Sequence, residues 1–103
     1  MAKRKIEWSK GAKNDLFTIL NFYIERNGAT TYSIKLNNRF DKSLQLIAKY
    51  PNIGTETDYD SVRALITGDF QIIYEVFDQL ILVIMLWDCR RNPDDKKIGE
   101  RMK

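Results

Sequence analysis

A chain of 103 residues, 44% hydrophobic and 30% charged, fits one domain (1–103) built around one core, and its 12% aromatic content makes that core feasible without cross-links. One cysteine, Cys89, and no histidine exclude an internal disulfide and leave no cluster for zinc, so neither metal nor cofactor is expected. The net charge of +3 is uneven: residues 1–13 carry +4 and residues 86–103 carry +2, while 14–85 carry −3, so ends folded side by side would present a basic patch to an anionic partner.

The charged start, Met1 to Lys5, is followed by Ile6-Glu7-Trp8-Ser9-Lys10 rather than by the apolar stretch of a signal peptide. No apolar run reaches the roughly 18 residues that span a bilayer. A cytoplasmic protein without membrane association is therefore expected. Residues 3–8 alternate, with Ile6 and Trp8 on one face and Lys3, Lys5 and Glu7 on the other, which predicts a short edge strand.

Residues 9–51 predict a helical hairpin. Ser9 offers an N-cap, and Ala12, Leu16, Ile19, Leu20 and Tyr23 recur at helical spacing, with Phe17 and Ile24 widening the stripe. Asn27-Gly28 supplies a left-handed stop. Thr30 or Thr31 caps a second helix whose Leu36, Phe40, Leu44 and Ile47 share a face, and Pro51 ends it.

After a polar loop at 52–60 the period changes to two, and residues 61–90 predict a three-strand meander. Ser61 to Thr67 alternates; Gly68-Asp69 makes a tight turn; Phe70 to Phe77 and Leu80 to Trp87 are apolar on nearly both faces, as central strands are. Residues 91–103 form a basic tail. The expected fold class is α+β in the order β-α-α-β-β-β, a four-strand antiparallel sheet with the helical hairpin packed on one face. The opposite face is predicted to be bare and apolar, with Leu65, Ile73 or Glu75, Ile81, Val83 and Met85 on it. Such a face implies a protein partner, a homodimer contact, or a tail folded over the sheet.

From about Lys5 to Pro93 the chain resembles the RelE/ParE superfamily of bacterial toxins from type II toxin–antitoxin systems. The resemblance rests on Trp8-Ser9 with Ala12 and Asp15-Leu16, the Ile19 to Tyr23 helix, Leu46-Ile47 leading to Tyr50-Pro51-x-x-Gly54, Val62-Arg63, Phe70-x-Ile72-Ile73-Tyr74, and Arg90-Arg91-x-Pro93. It implies a growth-inhibiting toxin neutralised by a cognate antitoxin protein, as a homodimer or as a heterotetramer with that antitoxin. Leu65, Ile73 and Met85 are the expected antitoxin-binding residues, and Arg63, Arg90 and Arg91 the expected target-binding ones. A guanidinium can grip phosphate or carboxylate bidentately, although an ion pair with Asp58, Asp60, Asp88 or Asp94 is the structural alternative for each. Tyr74, mid-strand, reads as a core tyrosine rather than a catalytic acid.

The superfamily divides by target. RelE-like members resemble endoribonucleases that cut messenger RNA in the ribosomal A site, and this alternative would make Arg63 and Arg91 catalytic. The nuclease pattern is largely missing, however. Gln71 follows Phe70 where those members carry arginine, Leu65 stands where they carry lysine, and Asp95 to Ile98 contains no tyrosine. Each lost transition-state donor costs about a hundredfold in rate. ParE-like members, which poison DNA gyrase, fit better, so the sequence favours a non-enzymatic toxin.

Overall fold

A computed structural model describes residues 3–102; Met1, Ala2 and Lys103, at the ends of the predicted domain and its basic tail, lie outside the described residues. The elements are β1 (Lys5–Trp8), α1 (Lys10–Asn27), α2 (Thr31–Lys49), β2 (Thr55–Glu56), β3 (Val62–Thr67), β4 (Phe70–Val76), β5 (Leu80–Asp88) and α3 (Ile98–Arg101), with single 3-10 turns at Pro51–Ile53 and Pro93–Asp95. Among the described residues no helix is long and apolar enough to cross a membrane.

Local chemistry sets the hairpin. The Ser9 hydroxyl accepts the Ala12 N–H at 3.1 Å, capping α1, and Gly28 ends it at φ 67°, a conformation that costs glycine nothing. Thr30 precedes α2 without a side-chain cap, because its backbone is already helical. The two helices bury Ala12, Leu36, Phe40, Leu44 and Ile47 against Ile72, Tyr74, Ile81, Val83 and Leu86 of the sheet. Phe40 meets Phe70 edge-on at 5.4 Å. Phe17 does not widen the buried stripe as predicted; it is 61% exposed on the outer side of α1.

The fold class is α+β, with the helical pair on one face of a sheet ordered β1-β5-β4-β3-β2. The sheet differs from the expected one in two ways. The loop at 52–60 contains β2, a fifth strand, which pairs antiparallel with β3 through Thr55↔Ala64 and Glu56↔Arg63. And β1 lies parallel to β5, so the sheet is mixed. The cause is the path of α1, which does not fold back on β1 but climbs in step with β5. The Ser9 N–H donates to the Val83 carbonyl, the Leu86 N–H donates to Asp15, and the Tyr23 hydroxyl meets Arg90. An even number of chain reversals then separates β1 from β5.

The face away from the hairpin is apolar but not bare. Val62, Ile73, Ile84, Met85 and Trp87 are all at most 5% exposed, with Ala64 and Ile98 packed on them. Ile98 belongs to α3, so the tail covers part of this face. Arg101 fastens it, donating to both carboxylate oxygens of Asp15 at 2.8 Å and to the Ile84 carbonyl at 3.3 Å. Ile66, 66% exposed, remains open beside the tail, in a broad groove that β2, Gln71 and α3 border.

Leu65, Ile81 and Val83 do not lie on this outer face, contrary to the alternation argument. Leu65 pairs with Ile72 and packs into the helix-side core. A bulge in β5 explains the other two: Ile73 faces Met85 but Tyr74 faces Val83, so Ile84 is an extra residue. Such an insertion resets the period of two, sending Ile81 and Val83 to the helix side while Met85 stays outside.

Candidate functional site

The three arginines singled out in the sequence meet different fates. Arg63, with a side chain 22% exposed, donates to the Gly54 carbonyl at 2.7 Å and the Asn52 carbonyl at 3.3 Å, and reaches Glu56 at 3.4 Å. It ties the β2 segment to β3. Next to it the Tyr74 hydroxyl donates to the Pro51 carbonyl at 2.7 Å and accepts the Gly54 N–H at 3.0 Å. Burial pushes that hydroxyl above the ordinary tyrosine range, outweighing the opposing pull of the Gly54 bond and the Arg63 charge. Tyr74 is thus the core tyrosine that its mid-strand position suggested.

Arg90 and Arg91 follow β5 at the opposite end of the sheet from the β4–β5 turn, and the structure brings these two together while leaving Arg63 elsewhere. Arg90 wraps onto Asp88 at 2.8 and 2.9 Å and donates to the Tyr23 hydroxyl at 2.8 Å. The hydrogen bond from Arg90 holds the Asp88 carboxyl below the usual carboxylate range, partial burial opposing it. Arg91 lies over the Trp87 ring, 4.5 Å from its centroid. Among the described residues it has no carboxylate within ion-pair distance, so its charge is available to a partner.

The expected antitoxin-binding residues also separate. Ile73 and Met85 share the outer face, 0% and 3% exposed beneath the tail, whereas Leu65 belongs to the helix-side core. The basic chain ends do meet, at Gly11 and Arg101, although the Arg101 charge is engaged by Asp15.

Sequence reasoning missed an aromatic shelf at the far end of α1. Phe22 stacks on Tyr23 at 5.0 Å, Tyr23 meets Tyr32 edge-on at 4.7 Å, and Arg26 sits over Phe22 at 5.9 Å. Phe22 and Tyr32 are 45% and 37% exposed. The available signal was that both lie off the apolar stripe of their helix, where a large aromatic has no core to enter. Exposed aromatics interleaved with arginine have the composition of protein-interface hot spots.

A helical hairpin thus lies on a small mixed sheet, with a guanidinium pair at the sheet end and an aromatic shelf beside it. The chain belongs to the ParE toxin family of type II toxin–antitoxin systems (parDE), whose sequence profile matches residues 6–93. The fold is similar to a chain of the chromosomal ParDE toxin–antitoxin system from P. aeruginosa, with a TM-score of 0.71 at 17% identity over 84% of this chain and 96% of that one. It is also similar to a chain of the E. coli DinJ-YafQ toxin–antitoxin complex, with a TM-score of 0.53 at 14% identity over 84% and 93%. No curated protein matches the sequence at a significant level. The protein is a type II toxin, and membership of such a system implies a cognate antitoxin.

Proposed function

We propose that this toxin arrests growth by binding and poisoning DNA gyrase, as ParE-like members do, and that it does not cut RNA. The observation that carries this reading is how the nuclease candidates are engaged. Arg63 is held by two backbone carbonyls and Glu56, and the Tyr74 hydroxyl is buried between Pro51 and Gly54. Cleaving a phosphodiester needs a proton donor and acceptor placed around one phosphate. Arg91 stands apart from both groups; beside it are Arg90, already paired with Asp88, and, in the cleft it lines with Trp87, Lys97, Asp95, Glu100 and Arg101, the last held by Asp15. Arg91 is then the target-gripping residue, while Arg90, bound to Asp88 and Tyr23, and Arg63 are structural.

The antitoxin reading follows the same geometry. For a partner to touch Ile73 and Met85 it must first lift Ile98 and the rest of α3 off the sheet, which the Arg101 bonds to Asp15 and the Ile84 carbonyl, the Lys96–Gln71 hydrogen bond and the Ile98 side chain oppose. The cytoplasm, where the proposed target lies, is the compartment this function requires. Expression without antitoxin is expected to induce DNA-damage signalling while cellular messages stay intact, and Arg91→Ala is expected to restore growth. Message cleavage in a purified translation reaction would instead select the ribosome-dependent nuclease.

A further inference from the structure

Where the tail passes the end of β5 the two enclose a cleft of about 340 Å³, with the buried Trp87 and Met85 at its base. Arg91, Asp95, Lys97 and Glu100 border it, and all four are exposed. Among the described residues none of the four has an oppositely charged group within ion-pair distance. Arg101 and Asp15 also border the cleft, but they hold each other at 2.8 Å and so fasten its wall without offering charge. Two cations and two carboxylates therefore face one opening unpaired.

That charge set narrows the occupant. A nucleic-acid backbone is bound by neutralising its phosphates with cations, and here Asp95 and Glu100 repel a phosphate as Arg91 and Lys97 attract it. A small ligand is held by burying most of its surface. In this cleft the apolar base is at most 5% exposed and the charged groups stand in solvent, so little surface is there to enclose one. A protein segment carrying both an acidic and a basic side chain answers all four charges, and such complementarity fixes the register of an interface. Arg91, resting 4.5 Å over the Trp87 ring, is steadied to receive the acidic one bidentately.

We propose that this cleft recognises a mixed-charge protein segment of the target, with an acidic side chain on Arg91 and Lys97 and a basic one on Asp95 and Glu100. This rests on the reading above that Arg91 grips gyrase, and it adds Lys97, Asp95 and Glu100 as the residues that determine which segment is gripped. The tail is then more than a cover for the outer face; it supplies one wall of the recognition site.

The test measures trapped cleaved DNA against toxin concentration, with purified gyrase, plasmid DNA and four full-length proteins whose circular dichroism and melting match: wild type, Lys97→Gln, the double variant Asp95→Asn/Glu100→Gln, and Lys35→Gln. Lys35 is exposed on α2 and controls for the change in net charge. Lys97→Gln and the double variant are each expected to raise the half-maximal concentration at least about threefold, the size of an exposed ion pair, while Lys35→Gln leaves it unchanged. The sign of the double variant is decisive. Potency lost in Lys97→Gln but kept or gained in the double variant overturns the mixed-charge segment in favour of a phosphate of the gyrase-bound DNA. Wild-type potency in both cleft variants overturns the cleft and leaves the gyrase reading standing. A wild-type protein that traps no cleaved DNA overturns both the cleft and the functional reading beneath it.

Discussion

Tyr74 is wholly buried, yet its hydroxyl sits where the chain turns from α2 into β2, satisfying one carbonyl and one N–H. Removing the oxygen would leave the Gly54 N–H and the Pro51 carbonyl without that partner in a site too tight to admit another group. An alanine Cβ at position 54 would already lie 2.7 Å from the hydroxyl oxygen. Tyr74→Phe is expected to lower unfolding stability by about 1–3 kcal/mol in urea denaturation. At the other end of the sheet, Asp88 titrates below the ordinary carboxylate range because Arg90 is bound to it. A depressed carboxyl stabilises the fold at pH values above its unfolded pKa of about 3.9, and that contribution disappears as the pH falls through the lower folded value. Arg90→Ala should raise the Asp88 titration toward the ordinary range in carbon-detected NMR, the residue-90 N–H and the Arg91 charge still holding it down in part. An unchanged Asp88 midpoint would mean that Arg90 is not its partner in solution.

α3 is four residues long and cannot be stable alone; it persists because Ile98 rests on the outer apolar cluster and Arg101 is clamped on Asp15. Ile98→Asp should therefore free the tail, exposing Ile73 and Met85. Amide exchange across 98–101 becomes unprotected and dye binding to the apolar face increases, with the β5 amides still slow. Unchanged exchange in the tail would show that it is held by something other than these two contacts. The element boundaries were largely legible, since Ser9, Gly28, Pro51 and the Gly68-Asp69 turn act through local backbone chemistry. The strand faces were less so. Alternation is a local signal, and one extra residue at Ile84 inverts it for Ile81 and Val83 without any glycine or proline to announce the bulge. β2 was hidden for a different reason: Thr55 and Glu56 are both exposed, so their pairing leaves no hydrophobic pattern.

At the scale of the whole molecule, function divides between two faces and one end. The helix-side core supplies the stability, and Phe40→Ala is expected to cost about 3–5 kcal/mol there while leaving the arginine pair in place. The outer face is closed by a weakly held tail, and the end of the sheet offers Arg91 on its tryptophan support. The site was only partly legible in the sequence, because a list of cations does not reveal which are already paired. Arg63 and Arg90 are engaged within the chain, and only the folded molecule distinguishes Arg91 from them. The most direct measurement is a gyrase assay with purified toxin, reading trapped cleaved DNA for wild type and Arg91→Ala beside ribosomes loaded with message. The account predicts cleavage complexes with wild type, at least about tenfold fewer at equal concentration with Arg91→Ala, a loss of the size expected of an arginine anchor, and uncut message throughout. Cut message with no gyrase complexes would contradict it.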